Sequence, residues 1–258
     1  MAKIYSHSKI QAFEQCPLRY KYKYIDKHKP DIEKTIEAHL GSSVHDTLEW
    51  VYNTIKEGKN PPTIDEVIIY YQNKWKENFS ENIAIIREGM TYEDYFNKGV
   101  KFLVDYYNKH YPFKDGTLEC EKKVFIDLDN FGDYKIIGYI DRLVFNPETQ
   151  EFEIHDYKTA NSLPTKEKVE ADRQLALYSL AIKNIYGDYK TRLVWHYLSY
   201  NKRIDSTREN HELENLKKET LEKIKQIESS QSFPPSPSIL CNWCDYQKRC
   251  PYFKSKFE

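Results

Sequence analysis

Two aspartates and a lysine stand in an arrangement that chemistry can use. Gly138-Tyr139-Ile140-Asp141-Arg142 is followed, after a turn at Pro147 to Gln150, by Ile154-His155-Asp156-Tyr157-Lys158. In an antiparallel ladder opposed residues keep a constant sum of numbers, so pairing Asn146 with Glu151 across the turn also sets Asp141 opposite Asp156. The period of two then puts Lys158 on the face of Asp156. Two carboxylates in cross-strand contact, with Ile137, Tyr139, Leu143 and Ile154 as neighbours, repel each other and are poorly hydrated. A divalent cation resolves that conflict, and hard carboxylate oxygens suit Mg2+ or Mn2+, which can hold a phosphodiester and acidify a water for attack on phosphorus. Lys158 would orient or help deprotonate that water and stabilise charge on the phosphate. The plainer alternative is an exposed aspartate beside an ordinary Asp–Lys ion pair at a strand end.

A second constellation lies at the two ends of the chain. Cys241-Asn242-Trp243-Cys244 is followed by Cys250-Pro251, and the distant Cys16 also precedes a proline. Five cysteines in a chain expected to be cytoplasmic speak for metal ligation, reactivity or burial rather than disulfides. Four thiolates from Cys16, Cys241, Cys244 and Cys250 would hold zinc or an iron–sulfur cluster, and spacing does not separate the two. Such a staple closes a loop containing almost the whole chain. Cys120 reads as a small buried apolar residue. Near the staple, Arg19, Lys21, Lys23, Lys27 and Lys29 alternate with Tyr20, Tyr22 and Tyr24, and Lys248 to Lys256 adds further bases. That is either a surface for phosphates and stacked bases or a solvated face with tyrosines turned inward.

The elements that must position these groups change character midway. A helix is expected from Ser6 to about Tyr24, broken where Cys16 meets Pro17. Helices follow near 38 to 58, 63 to 79 and 91 to 110. From Leu118 the period becomes two, giving strands over Leu118 to Leu128, Lys135 to Phe145 and Glu151 to Lys158, neighbours antiparallel. A helix from Lys168 to Tyr186, a strand from Thr191 to Tyr200 and a helix from Asn210 to Ser229 complete an αβββαβ order, and Pro234, Pro235 and Pro237 stiffen the approach to the cysteines. The 258 residues suit one domain: a helical lobe at 38–115, a core at 117–230, and a staple from 1–30 and 234–258. A net charge of −1 gives no global pull on nucleic acid, so any such surface must be local. The absence of an apolar run of about 20 residues speaks against a membrane span, and no GxxxxGK[ST] phosphate loop is present.

Taken together the segments resemble the RecB-like, AddB-like branch of the PD-(D/E)XK nuclease superfamily, and are similar to the adaptation exonucleases of CRISPR systems. Gly41-Ser42-Ser43-Val44-His45 resembles the family's GxxxH element, Gly138 to Arg142 its GxxDR element, Asp156-Tyr157-Lys158 its DxK element, and Gln174-Leu175-Ala176-Leu177-Tyr178 its QxxxY element, in the family order. The resemblance implies a restriction-endonuclease-like α/β fold with a mixed central sheet. It also implies a metal held by His45, Asp141, Asp156 and the carbonyl of Tyr157, with Lys158 catalytic. His45 taken alone, on a face with Gly41, Leu48, Tyr52 and Ile55, would read as a core histidine. Gln174 and Tyr178 stand one helical turn apart, and the family reading has them contact substrate or Lys158. On the first strand Glu119 or Glu121 is either a further carboxylate for the site or a surface charge. The Cys-Pro and Cys-x2-Cys-x5-Cys pattern is the family's [4Fe-4S] pattern. The implied activity is metal-dependent cleavage of DNA, chiefly of single-stranded ends and with 5'→3' polarity favoured, in repair, recombination or CRISPR adaptation. The implied partners are a helicase or a CRISPR adaptation protein. A non-catalytic DNA-end-binding subunit and a zinc-stapled structure-specific nuclease are the rival readings.

Overall fold

The computed structural model describes residues 2–80 and 82–254. The chain opens with a short strand, β1 (Lys3–Ser6), and Ser6 then caps α1 (His7–Gln15) by accepting the Lys9 amide at 3.1 Å. Cys16 is extended (φ −160°, ψ 107°), as the residue before a proline prefers, and α2 (Pro17–Tyr20) restarts the helix into a π turn over Lys21–Ile25. The expected break is therefore present, but the start differs: Lys3–Ser6 is strand. Four residues with one buried side chain carry too little pattern to be read in advance.

A helical lobe follows, built from α3 (Ile36–Lys56), α4 (Ile64–Glu77) and α5 (Tyr92–His110), with the two-residue strands β2 (Lys34–Thr35) and β3 (Ile83–Ala84) between them. Thr63 and Thr91 start α4 and α5 as reciprocal capping boxes with Glu66 and Asp94. The lobe has its own core, in which Val44, Leu48, Tyr71, Trp75 and Leu103 are fully buried.

The sheet comprises β4 (Thr117–Asp127), β5 (Tyr134–Asn146), β6 (Glu151–Lys158), β7 (Lys190–Tyr197) and β8 (Lys202–Thr207), joined by β1. β5 is its axis. From Lys135 to Val144 it pairs antiparallel with β4 on one side; on the other its end pairs antiparallel with β6 and its beginning pairs parallel with β1. β6 and β7 are parallel, β7 and β8 antiparallel, so the sheet is mixed. The edge strands β1 and β8 were not expected; β8, Lys-Arg-Ile-Asp-Ser-Thr, is charged in the manner of edge strands. The expected strand over Thr191 to Tyr200 stops at Tyr197, where a 3-10 turn begins.

One face of the sheet is covered by α7 (Arg173–Tyr186) and α8 (Asn210–Ser229), with Ile136, Ile140, Ile154, Leu177 and Ile224 in the shared core. The expected long helix is interrupted: α6 (Lys166–Glu170) ends, and Asp172 caps α7 by accepting the Leu175 amide at 3.1 Å. After α8 the chain returns to the first segment, ending in α9 (Pro251–Lys254). The Leu18 amide donates to the Pro234 carbonyl and Asp31 to Asp245.

Candidate metal centre

The β5–β6 ladder runs in the expected register from Asn146–Glu151 to Arg142–His155 and ends there, one pair short of Asp141–Asp156. Beyond it β6 continues along β7 as far as Lys158, and β1 does not rejoin β5 until Ile137. Gly138 to Asp141 therefore face a gap between strands. The Asp141 carboxylate fills part of it, accepting the Tyr157 amide at 2.8 Å in place of a backbone bond.

Strand alternation also fails at this point. Ile140 and Leu143 both pack in the core beside α7, whereas the two residues between them turn toward the lobe: Asp141 lies 3.4 Å from His45 Nδ1, and the Arg142 guanidinium lies over the Tyr52 ring at 4.1 Å. On the opposing strand Glu121 has a left-handed φ of 47°. A one-residue irregularity of this kind re-aims side chains beside functional sites. Here it gathers His45, Glu121 and Asp141, whose ligand atoms all lie within 4.8 Å of one another. Of the two glutamates considered, Glu121 is thus brought in, while Glu119 bonds Lys122 and Tyr186.

The remaining expected residues surround this cluster. His45 Nε2 donates to the Tyr157 carbonyl at 2.7 Å. Asp156 lies outside that cluster, though close enough for its charge to act on Asp141 and His45, and its Oδ2 is 2.7 Å from Lys158 Nζ. Gln174 Nε2 is 3.5 Å from the Tyr178 hydroxyl, and the Tyr178 ring lies against Gly138 so closely that a β-carbon there would sit 2.1 Å from Cε1. The glycine of the GxxDR pattern is thus a seat for the tyrosine of the QxxxY pattern.

Burial raises the Asp141 carboxyl to about 6, His45 opposing and Asp156 adding to the shift. Burial, and then Asp141, raises Glu121 to about 7. For His45 burial favours the neutral ring, but Asp141, Asp156 and the Tyr157 carbonyl outweigh it and raise the pKa. Both ring nitrogens face acceptors, Nδ1 the Asp141 carboxylate and Nε2 the Tyr157 carbonyl. Burial also lowers Lys158, yet Asp156 holds it well above its ordinary value.

Sequence reasoning missed His7. It enters beside this site from the start of α1, its pKa pulled down to about 4 by burial and by the charges of Arg173 and Lys158. Only the position of β1 beside β5 explains its presence, and no local pattern marks it.

The four terminal cysteines line one cavity of about 200 Å3, together with Arg19, Trp243 and Pro235. None is in a disulfide. The amides of Ser236 and Ser238 point to Cys16 Sγ and Cys241 Sγ at 3.5 and 3.4 Å. Among the described residues no three of these sulfurs lie within 4.8 Å of one another. Cys120 lies elsewhere, partly buried against the lobe core. In the basic stretch Tyr20 is buried, Lys21 pairs with Asp26, and Lys29 with Glu33. Lys256 lies outside the described residues.

A mixed sheet that opens beside its central strand to gather carboxylates, an imidazole and a lysine is consistent with a restriction-endonuclease-like core. The family model of the PD-(D/E)XK nuclease superfamily matches residues 4–251, and the chain belongs to that superfamily of metal-dependent nucleases. Among solved structures it is similar to the crystal structure of SSO0001, with 14% identity and a TM-score of 0.40 over 94% of this chain and 84% of that one. No curated protein matches it. No helix among the described residues is long and apolar enough to cross a membrane.

Proposed function

We propose that the protein is a deoxyribonuclease of the RecB/AddB-like branch, using Mg2+ or Mn2+ to hydrolyse DNA from single-stranded ends as an exonuclease with 5'→3' polarity. The observation that carries this reading is the convergence of His45, Glu121 and Asp141 where β5 and β6 part, with the Asp156–Lys158 pair alongside.

The donors fit a hard divalent ion. Two carboxylates with raised pKa values stand beside an imidazole held by two acceptors, and a cation among them would relieve the crowding of like charges. His45, Asp141, Asp156 and the Tyr157 carbonyl would hold it, and Glu121 adds a donor. When bound, the ion supplies a Lewis acid that grips the phosphate and acidifies water. Lys158, its charge held by Asp156, would donate to the phosphate oxygen on which charge grows in the transition state. Tyr178 bears on β5 at Gly138 and is itself met by Gln174; in this reading the pair would contact substrate or Lys158.

Cys16, Cys241, Cys244 and Cys250 hold a [4Fe-4S] cluster in this reading. All four thiols line one cavity, and amides aimed at two of the sulfurs suit thiolate ligands. The cluster ties the segments 1–30 and 234–258 across the core at 117–230. With no phosphate loop in the sequence, unwinding of duplex DNA falls to a helicase partner, and a cytoplasmic setting goes with reduced thiols.

The test is cleavage of end-labelled single-stranded DNA by anaerobically purified protein with Mn2+, beside Asp156→Ala and Lys158→Ala. The expected result is cleavage by the parent and a loss of about 100-fold or more in each variant, with label at either end reading the polarity. A parent that binds DNA, keeps its visible absorbance and does not cut would instead be a DNA-end-binding subunit.

A further inference from the structure

The face of β4 and β5 that carries Glu121 and Asp141 continues away from the metal centre without a covering element. Along it Lys123 stands opposite Tyr139, Phe125 opposite Ile137, and Asp127 opposite Lys135, while β1 adds Ile4 beside Lys135 and Ser6 beside Ile137. The other face of these strands is core: Val124, Ile126, Ile136 and Ile140 are at most 1% exposed. On the bare face Phe125 is 46%, Tyr139 48% and Ile4 49% exposed. Large apolar side chains left open in a contiguous group mark a surface that something covers.

We infer that this strip is a stacking platform for the bases of a single DNA strand leading to or from the metal centre. The inference rests on the nuclease reading of that centre and names where its substrate lies. Three observations select this occupant. The strip is continuous with the candidate metal centre, since Asp141, Tyr139 and Ile137 are successive same-face positions of one strand. Its spacing suits a drawn-out strand: two residues of β-strand advance about 6.8 Å, twice the roughly 3.4 Å per nucleotide of duplex DNA, so each step offers one base a side chain to rest on. Its charges suit phosphates: Lys123 lies over the Phe125 ring at 5.3 Å and forms no ion pair among the described residues, whereas Lys135 is held by Asp127 at 2.6 Å. A basic group beside aromatic rings is how sequence-tolerant single-strand binders work. Two copies of the chain set face to face would instead bury Lys123, which stands opposite Tyr139 and over the Phe125 ring, inside their contact, where charged residues are depleted.

The platform is tested by fluorescence anisotropy of a labelled oligothymidylate of about 12 nucleotides, without divalent metal so that nothing is cut. The full chain is compared with Phe125→Ala, Tyr139→Ala, Phe125→Tyr and Tyr139→Phe, with far-ultraviolet circular dichroism to confirm folding. Each alanine should weaken binding about tenfold, the aromatic exchanges should restore it, and a blunt duplex, whose bases are hidden, should show no such dependence. Unchanged affinity in both alanine variants overturns the platform, as does equal weakening for the duplex. Self-association of the parent that the alanines abolish also overturns it and makes the face an interface between copies. Cleavage by the parent is scored separately with Mn2+: a parent that cuts while the alanines bind normally leaves the nuclease reading standing without the platform, and aromatic-dependent binding without cutting does the reverse.

Discussion

Gly138→Ala should damage both stability and catalysis, because Gly138 is the point at which α7 bears on the strand that carries Asp141. An added β-carbon would lie 2.1, 2.4 and 2.5 Å from Cε1, Cζ and the hydroxyl of Tyr178. Carbon atoms in contact prefer about 3.5–4.0 Å, so either the ring or the strand must retreat by more than 1 Å. Tyr178 is only 5% exposed on a helix whose neighbours Leu175, Ala176, Leu177 and Ala181 are buried, so it has little room to turn. The strand has more, since Gly138 to Asp141 lack a backbone partner on the side of the gap. Overpacking of this kind costs about 1–3 kcal/mol, which for a chain of this size is a fall in Tm of about 2–12 °C. A displacement of about 1 Å at the fork lowers kcat by about 100-fold. Thermal melting and DNA cleavage with Mn2+ measure the two effects. The decisive comparison is with Tyr178→Ala, which removes the obstacle: Gly138→Ala made in that background should cost less than about 0.5 kcal/mol. If the two substitutions are additive, or if Gly138→Ala alone changes neither Tm nor kcat, the contact does not position the strand.

Arg142, 1% exposed, donates to Asp115, to Thr117 at 3.1 Å and to His155 Nδ1 at 2.8 Å, so Arg142→Met, which removes these donors while Asp115 keeps contact with water, should cost about 1–3 kcal/mol and be read as a Tm loss of at least about 2 °C; an unchanged Tm would contradict that account. His155 and His196 are held well below their ordinary value and His110 at about 4, in each case by burial first, with neighbouring positive charge adding to it. The unfolded chain takes up protons on these rings near pH 6.5 while the folded one does not, so their contribution to stability is present above that pH and is lost as pH drops toward 4, against the opposite contribution of Glu121 and Asp141; denaturant midpoints at several pH values in a Glu121→Gln, Asp141→Asn protein, which lacks the opposing carboxyls, check the slope, and a flat profile there would refute it. At the metal centre, Glu121 at about 7 and Asp141 at about 6 must lose protons to take a cation, so Mn2+ affinity measured by calorimetry should weaken below pH 7, with Glu121→Gln removing the upper part of that dependence. With the proposed [4Fe-4S] cluster, Cys16→Ala should abolish iron retention and visible absorbance and lower Tm by freeing the first segment from the last; retention of both iron and Tm would remove Cys16 from the ligand set.

The strands that carry the chemistry were legible because each presents a period of two between turn residues, and β6 falls on Glu151 to Lys158 as its alternation requires. The register of the β5–β6 hairpin was legible for the same reason, since the turn at Pro147 to Gln150 fixes it. What the sequence did not disclose is where regularity is given up. Constant alternation sets Asp141 and Asp156 face to face; the chain instead ends the ladder at Arg142, lets Asp141 bond the Tyr157 amide, and turns Asp141 and Arg142 to the same side. Nothing local in Ile140-Asp141-Arg142-Leu143 demands that irregularity. It is imposed from a distance, by α3 supplying His45 and Tyr52 to receive the two side chains and by Tyr178 occupying the place of a side chain at Gly138. The same holds for β1 and His7, whose positions depend on the half of β5 that β6 leaves unpaired. Local pattern therefore reveals which residues have the chemistry, whereas the gap in which they meet arises from the packing of two helices and a terminal strand against one unusually long strand. A substitution in those supports, such as Gly138→Ala, is for that reason a sharper probe of the site than exchange of the exposed charges around it.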